Sequence, residues 1–327
     1  MKQHVSLSAS SLSLAIVAVV LSGVILLLVN AEGADDEESR LGRPQRHPQD
    51  ESMMIFHFDT LSSTQDEARR IAEEGVTNEA EDQQCSNDVP MRSFVVTTRE
   101  QTNGRGTNGR MWMGQRGNVF CTIGIRQEDW MKSGIPLTLL PLKIGSLVAQ
   151  QVQTLLEACR GAPANGSQMP LVTVKWPNDV LVDEKKISGV LIKSSSNGWF
   201  LIGIGINLAY APPVTSPGPN RGRPSTSIAD WCVPDQNPEI TAERVGIEIA
   251  LELHQFLVQA SEGTSVGLSE RILREWKQWI DWDMELVMRD TAEQERVKMV
   301  DVLADGRVQV QNVDNGRTRT LVSDYFL

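Results

Sequence analysis

Gly104-Arg105-Gly106-Thr107-Asn108-Gly109-Arg110 decides how the rest of the chain is read. The stretch satisfies G-x-G-x-x-G, the fingerprint of doubly wound dinucleotide folds, which requires a strand before it and a helix after it. The strand is there in residues 93–98, SFVVTT. Residues 111–117 then carry Trp112 and two glycines, and a second extended apolar run follows at 118–126. A strand stands where the fingerprint demands a helix, so the dinucleotide reading fails. A glycine-rich loop between two strands remains. Its free N–H groups can form an anion nest, and Arg105 and Arg110 add charge. A plain flexible hairpin loop fits the same residues, so other elements must decide between them.

Two more elements bear on the choice. Lys175-Trp176-Pro177-Asn178-Asp179 ends one strand and turns directly into the next, Pro177 fixing the exit and Asn178-Asp179 making the turn. Lys175 is thereby held on a rigid strand, where a point charge can meet a phosphate or carboxylate. An exposed lysine beside a turn is the bland reading of those five residues. In Ile202-Gly203-Ile204-Gly205-Ile206-Asn207 alternate faces hold isoleucine and nothing, so one side buries and the other is bare enough for a flat ligand or another backbone.

Outward from these, residues 53–59 read as a first strand, and Ser62 to Glu67 open a helix running to about residue 75 with hydroxyl caps and first-turn acids. Residues 136–160 show helical periodicity after a proline start. A dense β region covers 171–176, 180–183, 187–193 and 199–206, and residues 211–224, with five prolines, are loop. Residues 241–260 and 268–280 are helical. From about residue 283, alternating segments broken by Asp305-Gly306 and Asn315-Gly316 read as hairpins of a small antiparallel barrel. The class is therefore α+β, a mixed sheet flanked by helices with a β appendage.

The chain has 327 residues and a net charge of -11, which argues against a nonspecific nucleic-acid binder. Cys85, Cys121, Cys159 and Cys232 lie too far apart for a zinc cluster and read as reduced thiols, and the four histidines are scattered, so no metal site is expected from His or Cys. Mg²⁺ accompanying a nucleotide stays open. Residues 1–31 contain the charge-free run 12–29 and read as a signal peptide or membrane anchor, followed by a linker over 32–52. That leader implies membrane or secretory-route targeting, a plastid being one destination. Translation from Met53 would instead leave the protein cytoplasmic. Gly263-Thr264-Ser265-Val266-Gly267 fits a hydrolase G-x-S-x-G but lies between helices, outside the strand-to-helix context it needs. Trp276, Trp279 and Trp282 read as an interface with the C-terminal barrel.

In order, these elements resemble the biotin–protein ligases: Ser63-Thr64-Gln65, then Gln101 through the glycine-rich loop to Trp112, then residues 175–179, then Lys186, Gly189 and Leu191, then residues 203–207. The resemblance covers roughly residues 53–327 and implies a biotin/lipoate-ligase fold, like that of class II aminoacyl-tRNA synthetases, as a catalytic domain over 53–280 with an SH3-like domain over 281–327. It also implies ATP-dependent biotinylation, through biotinyl-AMP, of a lysine in biotin carboxyl carrier domains. Lys175 and Arg105 would be catalytic. Ser63, Thr64, Gln65, Gln101, Gly104, Arg105, Gly106, Lys175, Gly203 and Gly205 would hold biotin. Arg105, Gly106, Thr107, Gly109, Arg110, Trp112, Asn178, Lys186 and Asn207 would hold the nucleotide.

The chain departs from the family's pattern in two places. Thr107 stands where members carry a second loop arginine, which implies weaker retention of the adenylate, and Lys193 stands where an acid is favoured. No segment resembles the helix-turn-helix of repressor members, so a ligase without nucleic-acid binding is expected. Lipoate or octanoate transfer on the same fold, and a non-catalytic biotin or carrier binder, are the alternatives.

Overall fold

Along residues 93–101 the side chains alternate between two hydrophobic clusters, Val95 in one and Phe94 with Val96 in the other, as a strand buried on both faces must. This strand belongs to a mixed sheet of eight strands. In chain order they are β1 Gln45–His47, β2 Asp50–Leu61, β3 Ser93–Gln101, β4 Val119–Arg126, β5 Val172–Lys175, β6 Asp179–Val182, β7 Lys185–Ser194 and β8 Trp199–Ile206. Their spatial order is β1-β2-β3-β4-β8-β7-β6-β5. Only β2 and β3 run parallel, and the helix between them, α1 Thr64–Glu74, makes that crossover. The computed structural model describes residues 42, 44–74, 89–160, 169–213, 223–232, 241–263, 267–288 and 295–322.

One face of the sheet packs on α3 Leu140–Arg160 and α4 Ala242–Glu262, with α5 Leu268–Lys277 against α3. Ile202, Ile204 and Ile206 of β8 point into that face. The other face carries α1, whose Ala68, Ile71 and Ala72 meet Met54, Phe56, Phe94 and Leu201. Gly203 and Gly205 therefore open toward the α1 side. His254 of α4 sits between Asp50, 2.9 Å from its Nε2, and Ser93, 2.7 Å from its Nδ1. Ser93 is buried, so this histidine stitches α4 to β2 and β3.

Several expectations change. The C-terminal segment forms β9 Glu285–Val287, β10 Arg296–Val302, β11 Val308–Asn312 and β12 Thr318–Leu321, in the order β12-β11-β10-β9. The hairpins arise as the turn sequences demand, but β9 and β12 are both edges and do not pair. The expected SH3-like barrel is thus an open four-stranded antiparallel sheet. The signal peptide or anchor expected over residues 1–31 lies outside the described residues, and among the described residues no helix is long and apolar enough to cross a membrane. The transmembrane reading therefore gains nothing from the structure. Strand also begins earlier than expected, at residues 45 and 50. Ser265 of the G-x-S-x-G match is outside the described residues.

The thiol reading changes too. Cys159, at the end of α3, is disulfide-bonded to Cys232, with Cα atoms 5.0 Å apart across 73 residues of sequence. Only the tertiary fold brings these two together. Cys121 is a buried thiol that burial pushes up to about 12, so it is protonated and unreactive. Cys85 lies outside the described residues. Closing a loop this long should stabilise the fold by about 2–4 kcal/mol. Cys159→Ser should lower the denaturant midpoint accordingly, and dithiothreitol should lower the wild-type midpoint to meet it. Equal midpoints with and without reductant would mean the bond contributes nothing.

The tryptophan series divides. Trp276 is wholly buried, and its Nε1 donates to the Pro177 carbonyl at 3.1 Å. Trp279 packs on the same core, while Trp282 is largely exposed. Trp176 also meets the C-terminal segment, its Nε1 donating to the Gly306 carbonyl at 3.0 Å, and Lys277 pairs with Asp301 of β10 at 2.8 Å. One hydrophobic cluster takes in residues of the main sheet, Trp276, and Leu286, Val297 and Val310 of the C-terminal sheet.

Candidate active site

The loop after β3 folds back as a narrow hairpin. Trp112 N donates to Gly104 O at 3.0 Å, Gly106 N donates to Arg110 O at 2.8 Å, and Arg105 pairs with Met111 as an isolated bridge. A short 3-10 turn, Thr107–Gly109, closes its tip, with Gly109 at a φ of +72° that a side chain would resist. Gly104 is buried because its Cα lies against the Trp112 carbonyl, where no Cβ fits. Both loop arginines are held. Arg105 donates to Asp66 of α1 at 2.8 and 3.0 Å, and Arg110 donates to the Thr107 hydroxyl at 2.8 Å.

This hairpin lies over the bare side of β7 and β8 and encloses with it a cavity of about 520 Å³. A Cβ on Gly205 would collide with the Trp112 indole, and one on Gly189 would come within 2.9 Å of the same ring. A Cβ on Gly203 would lie 2.6 Å from Gln65 Nε2. The bare face of these strands is therefore covered by the protein's own Trp112 indole and Gln65 side chain. Gln65 is fixed by donation to the Leu191 and Leu201 carbonyls at 3.0 and 3.3 Å, while its Oε1 is buried without a partner.

At the mouth of α1, Ser63 O caps the first turn by accepting from Asp66 N and Glu67 N. The Thr64 hydroxyl and backbone N–H both donate to Gln101 Oε1, and Thr122 donates to the Thr64 hydroxyl at 2.9 Å. Ser63, Thr64, Gln65 and Gln101 thus form one chained polar wall of the cavity. Across from it stand Asp179 and Lys186, with Lys186 Nζ donating to Asp179 Oδ1 at 2.7 Å. Burial pushes the Asp179 carboxyl up, but Lys186, Lys175 and Arg110 outweigh it and hold the group below its ordinary value.

Most residues named from sequence share this cavity: Arg105, Gly106, Thr107, Arg110, Trp112, Lys186, Gly203, Gly205 and Asn207 line it with the polar wall. Lys175, Asn178, Gly104 and Gly109 do not. Lys175 is buried, its Nζ 3.7 Å from Asp179 Oδ2, so it backs the cavity through that carboxylate. The lysine that faces the space is Lys186. Sequence reading passed over Asp179 as a lining group and missed Arg223 altogether. Strand pairing gave a signal for Asp179, because Lys175 and Asp179 are cross-strand partners flanking a tight turn. Arg223 had none.

Besides Gln65 Oε1, the lining holds Trp112 Nε1, Asn207 Oδ1 and Arg223 Nε buried and without partners. Unpaired buried polar atoms are costly, so clustered in one cavity they mark a ligand's hydrogen-bonding points. Two are acceptors and two are donors, which asks for a molecule with both on a flat body and an anionic part near Lys186.

Residues 73–208 match the biotin/lipoate A/B protein ligase family. The chain is 33% identical over 124 residues to a biotin–[acetyl-CoA-carboxylase] ligase of Paracoccus denitrificans, covering 37% of this chain and 46% of that protein. It is 32% identical over 164 residues to a bifunctional ligase/repressor of Bacillus subtilis, covering 49% of this chain and 41% of that protein. These alignments span less than half the length of either relative. A biotin protein ligase from Leishmania major, solved with biotinyl-5-AMP, superposes at TM-score 0.52 and 27% identity, over 82% of this chain and 98% of that one. The family match spans the glycine-rich loop, Lys186 and the glycine-faced β8, and leaves outside it the Ser63–Gln65 wall and Arg223. Over residues 73–208 the chain thus resembles the biotin/lipoate A/B protein ligase family, and these relatives are biotin–protein ligases.

Proposed function

We propose that the chain activates biotin with ATP and transfers it to a lysine of a biotin carboxyl carrier domain. One observation carries the reading: a single cavity of about 520 Å³ gathers two unpaired acceptors and two unpaired donors with the side chains of Arg105, Arg110, Lys186 and Arg223. Biotin's ureido ring offers donors to Gln65 Oε1 and the polar wall, and its carboxylate reaches toward Lys186 and Arg105. The Trp112 indole, seated on Gly205 and Gly189, is a flat apolar surface on which a planar base can stack. Mg²⁺ would enter on the nucleotide's phosphates, with Asp179 as the nearest carboxylate.

A carboxylate oxygen attacks the α-phosphorus, the bond to the bridging oxygen of the β-phosphate breaks, and pyrophosphate leaves with the electron pair. Two anions must meet for this, so fixed cations and N–H dipoles do most of the work. Lys186 and Arg105 supply the charge, and the hairpin excludes water from the mixed anhydride. The acceptor lysine's amine then attacks the anhydride carbonyl and AMP departs.

Biotin-dependent exchange of labelled pyrophosphate into ATP, followed by labelling of a carrier domain, tests both steps on the full chain. Exchange with lipoate or octanoate but not biotin would sink the biotin assignment. Binding of biotin without any exchange would sink the enzymatic one.

A further inference from the structure

Arg223 stands in a stretch that the sequence marks only as loop, yet the fold sets it at the cavity. Lys186 N donates to the Pro224 carbonyl at 2.7 Å, Thr226 N donates to the Lys186 carbonyl at 3.0 Å, and Lys186 pairs with Ser225 as a parallel bridge. Asn207 ties down the same segment, its Nδ2 donating to Thr226 O at 3.0 Å. Residues 224–226 thus run as a short extra strand along the start of β7, and Arg223 lines the cavity next to Lys186. Its Nε is buried without a partner.

The surroundings do not balance its charge. Burial lowers the Arg223 guanidinium's affinity for its proton, against the pull of Glu184 and Asp179, but an arginine keeps its proton in a protein. Asp179 is bonded to Lys186 and also neighbours Lys175 and Arg110. Among the described residues, one carboxylate therefore serves several cations. Arg105 and Arg110 are both occupied, by Asp66 and Thr107, whereas Arg223 presents a donor with nothing to receive it. A half-buried guanidinium of this kind is built for a bidentate oxyanion.

We propose that Arg223 binds the β- and γ-phosphates of the nucleotide and steadies the departing pyrophosphate. The assignment rests on the ligase reading above. Those phosphates carry most of the nucleotide's negative charge, and the β-phosphate gains more as the bond to the α-phosphorus breaks and its electron pair leaves with pyrophosphate. A guanidinium fixed at that end holds the growing charge, and no proton need move. Arg223 touches substrate in this arrangement, so its effect should fall on the nucleotide and not on biotin.

Arg223→Gln in the full chain should raise KM for ATP, and for pyrophosphate in the reverse exchange, about tenfold or more, the loss expected for a charged hydrogen bond. KM for biotin should hold, and Arg223→Lys should recover part of the loss. Calorimetric titration with inorganic pyrophosphate, which needs no turnover, should show the same weakening. Unchanged pyrophosphate affinity in Arg223→Gln would overturn the proposal, as would equal losses for biotin and ATP with a lowered melting temperature. Should wild type bind pyrophosphate yet catalyse no biotin-dependent exchange, the ligase reading would fall, while the titration would still decide the role of Arg223.

Discussion

Lys186→Ala is expected to slow biotin-dependent pyrophosphate exchange about a hundred- to a thousandfold while leaving the protein folded. Lys186 is the second residue of β7, the strand that floors the cavity, and both its backbone N–H and carbonyl are pinned to the 224–226 segment. Its side chain is thus aimed without depending on its charge. Removing the ammonium takes away a preorganised cation, which costs an enzyme roughly 10²–10³ in rate. It also strips Asp179 of its 2.7 Å partner and leaves a carboxylate facing an incoming anion. Lys186→Arg should retain more activity than Lys186→Met, because the charge matters and the exact length less. Exchange within threefold of wild type in Lys186→Ala would remove this lysine from the chemistry. Lys175→Ala makes the useful contrast. Lys175 is buried behind Asp179, so its loss should lower stability as well as rate.

The second large effect lies on β8. Gly205→Val should abolish measurable activity, because a branched side chain there would take the space of the Trp112 indole and drive the ring into the cavity. Displacing that ring costs about 1–3 kcal/mol of stability by overpacking, so the variant should still fold. Gly203→Ala would press on the Gln65 side chain and loosen its bonds to the Leu191 and Leu201 carbonyls, and should mainly weaken biotin binding. Ile204→Val, on the opposite face, should cost about 1 kcal/mol and leave exchange untouched. Near-normal activity in Gly205→Val would show that the seating of Trp112 does not matter to the chemistry, and a like loss in Ile204→Val would trace the effect to general loosening.

Strand alternation made the centre of the sheet legible. β3, β4 and β8 fall where β-branched runs and the Ile-Gly alternation put them, and the glycine side of β8 admits the Trp112 indole and the Gln65 amide against its backbone. Short or cooperative features were not legible. The helix α2, Gln127–Lys132, is too brief to show a period. Residues 137–139 form a 3-10 turn before α3 starts at Leu140, since a proline start sets the direction of the chain but not the hydrogen-bond pattern. Asp305-Gly306 and Asn315-Gly316 fix hairpins locally, yet closing a barrel depends on whether β9 meets β12, which no local residue specifies. The Cys159–Cys232 bond and the placing of Arg223 likewise depend on distant chain segments meeting. Lys175 stood out in sequence because its motif is compact, whereas the cavity wall went to the lysine whose neighbours are assembled from three separate segments.

The turn at residues 176–179 is gripped from two directions, by the Trp276 indole on the Pro177 carbonyl and by the Trp176 indole on Gly306 of the C-terminal sheet. That sheet is therefore a backstop for the chemistry and not ballast. It braces the platform from which Asp179 and its lysines are aimed, so damage at the tail of the chain would surface first as sloppy handling of nucleotide, at a distance from every residue that touches it.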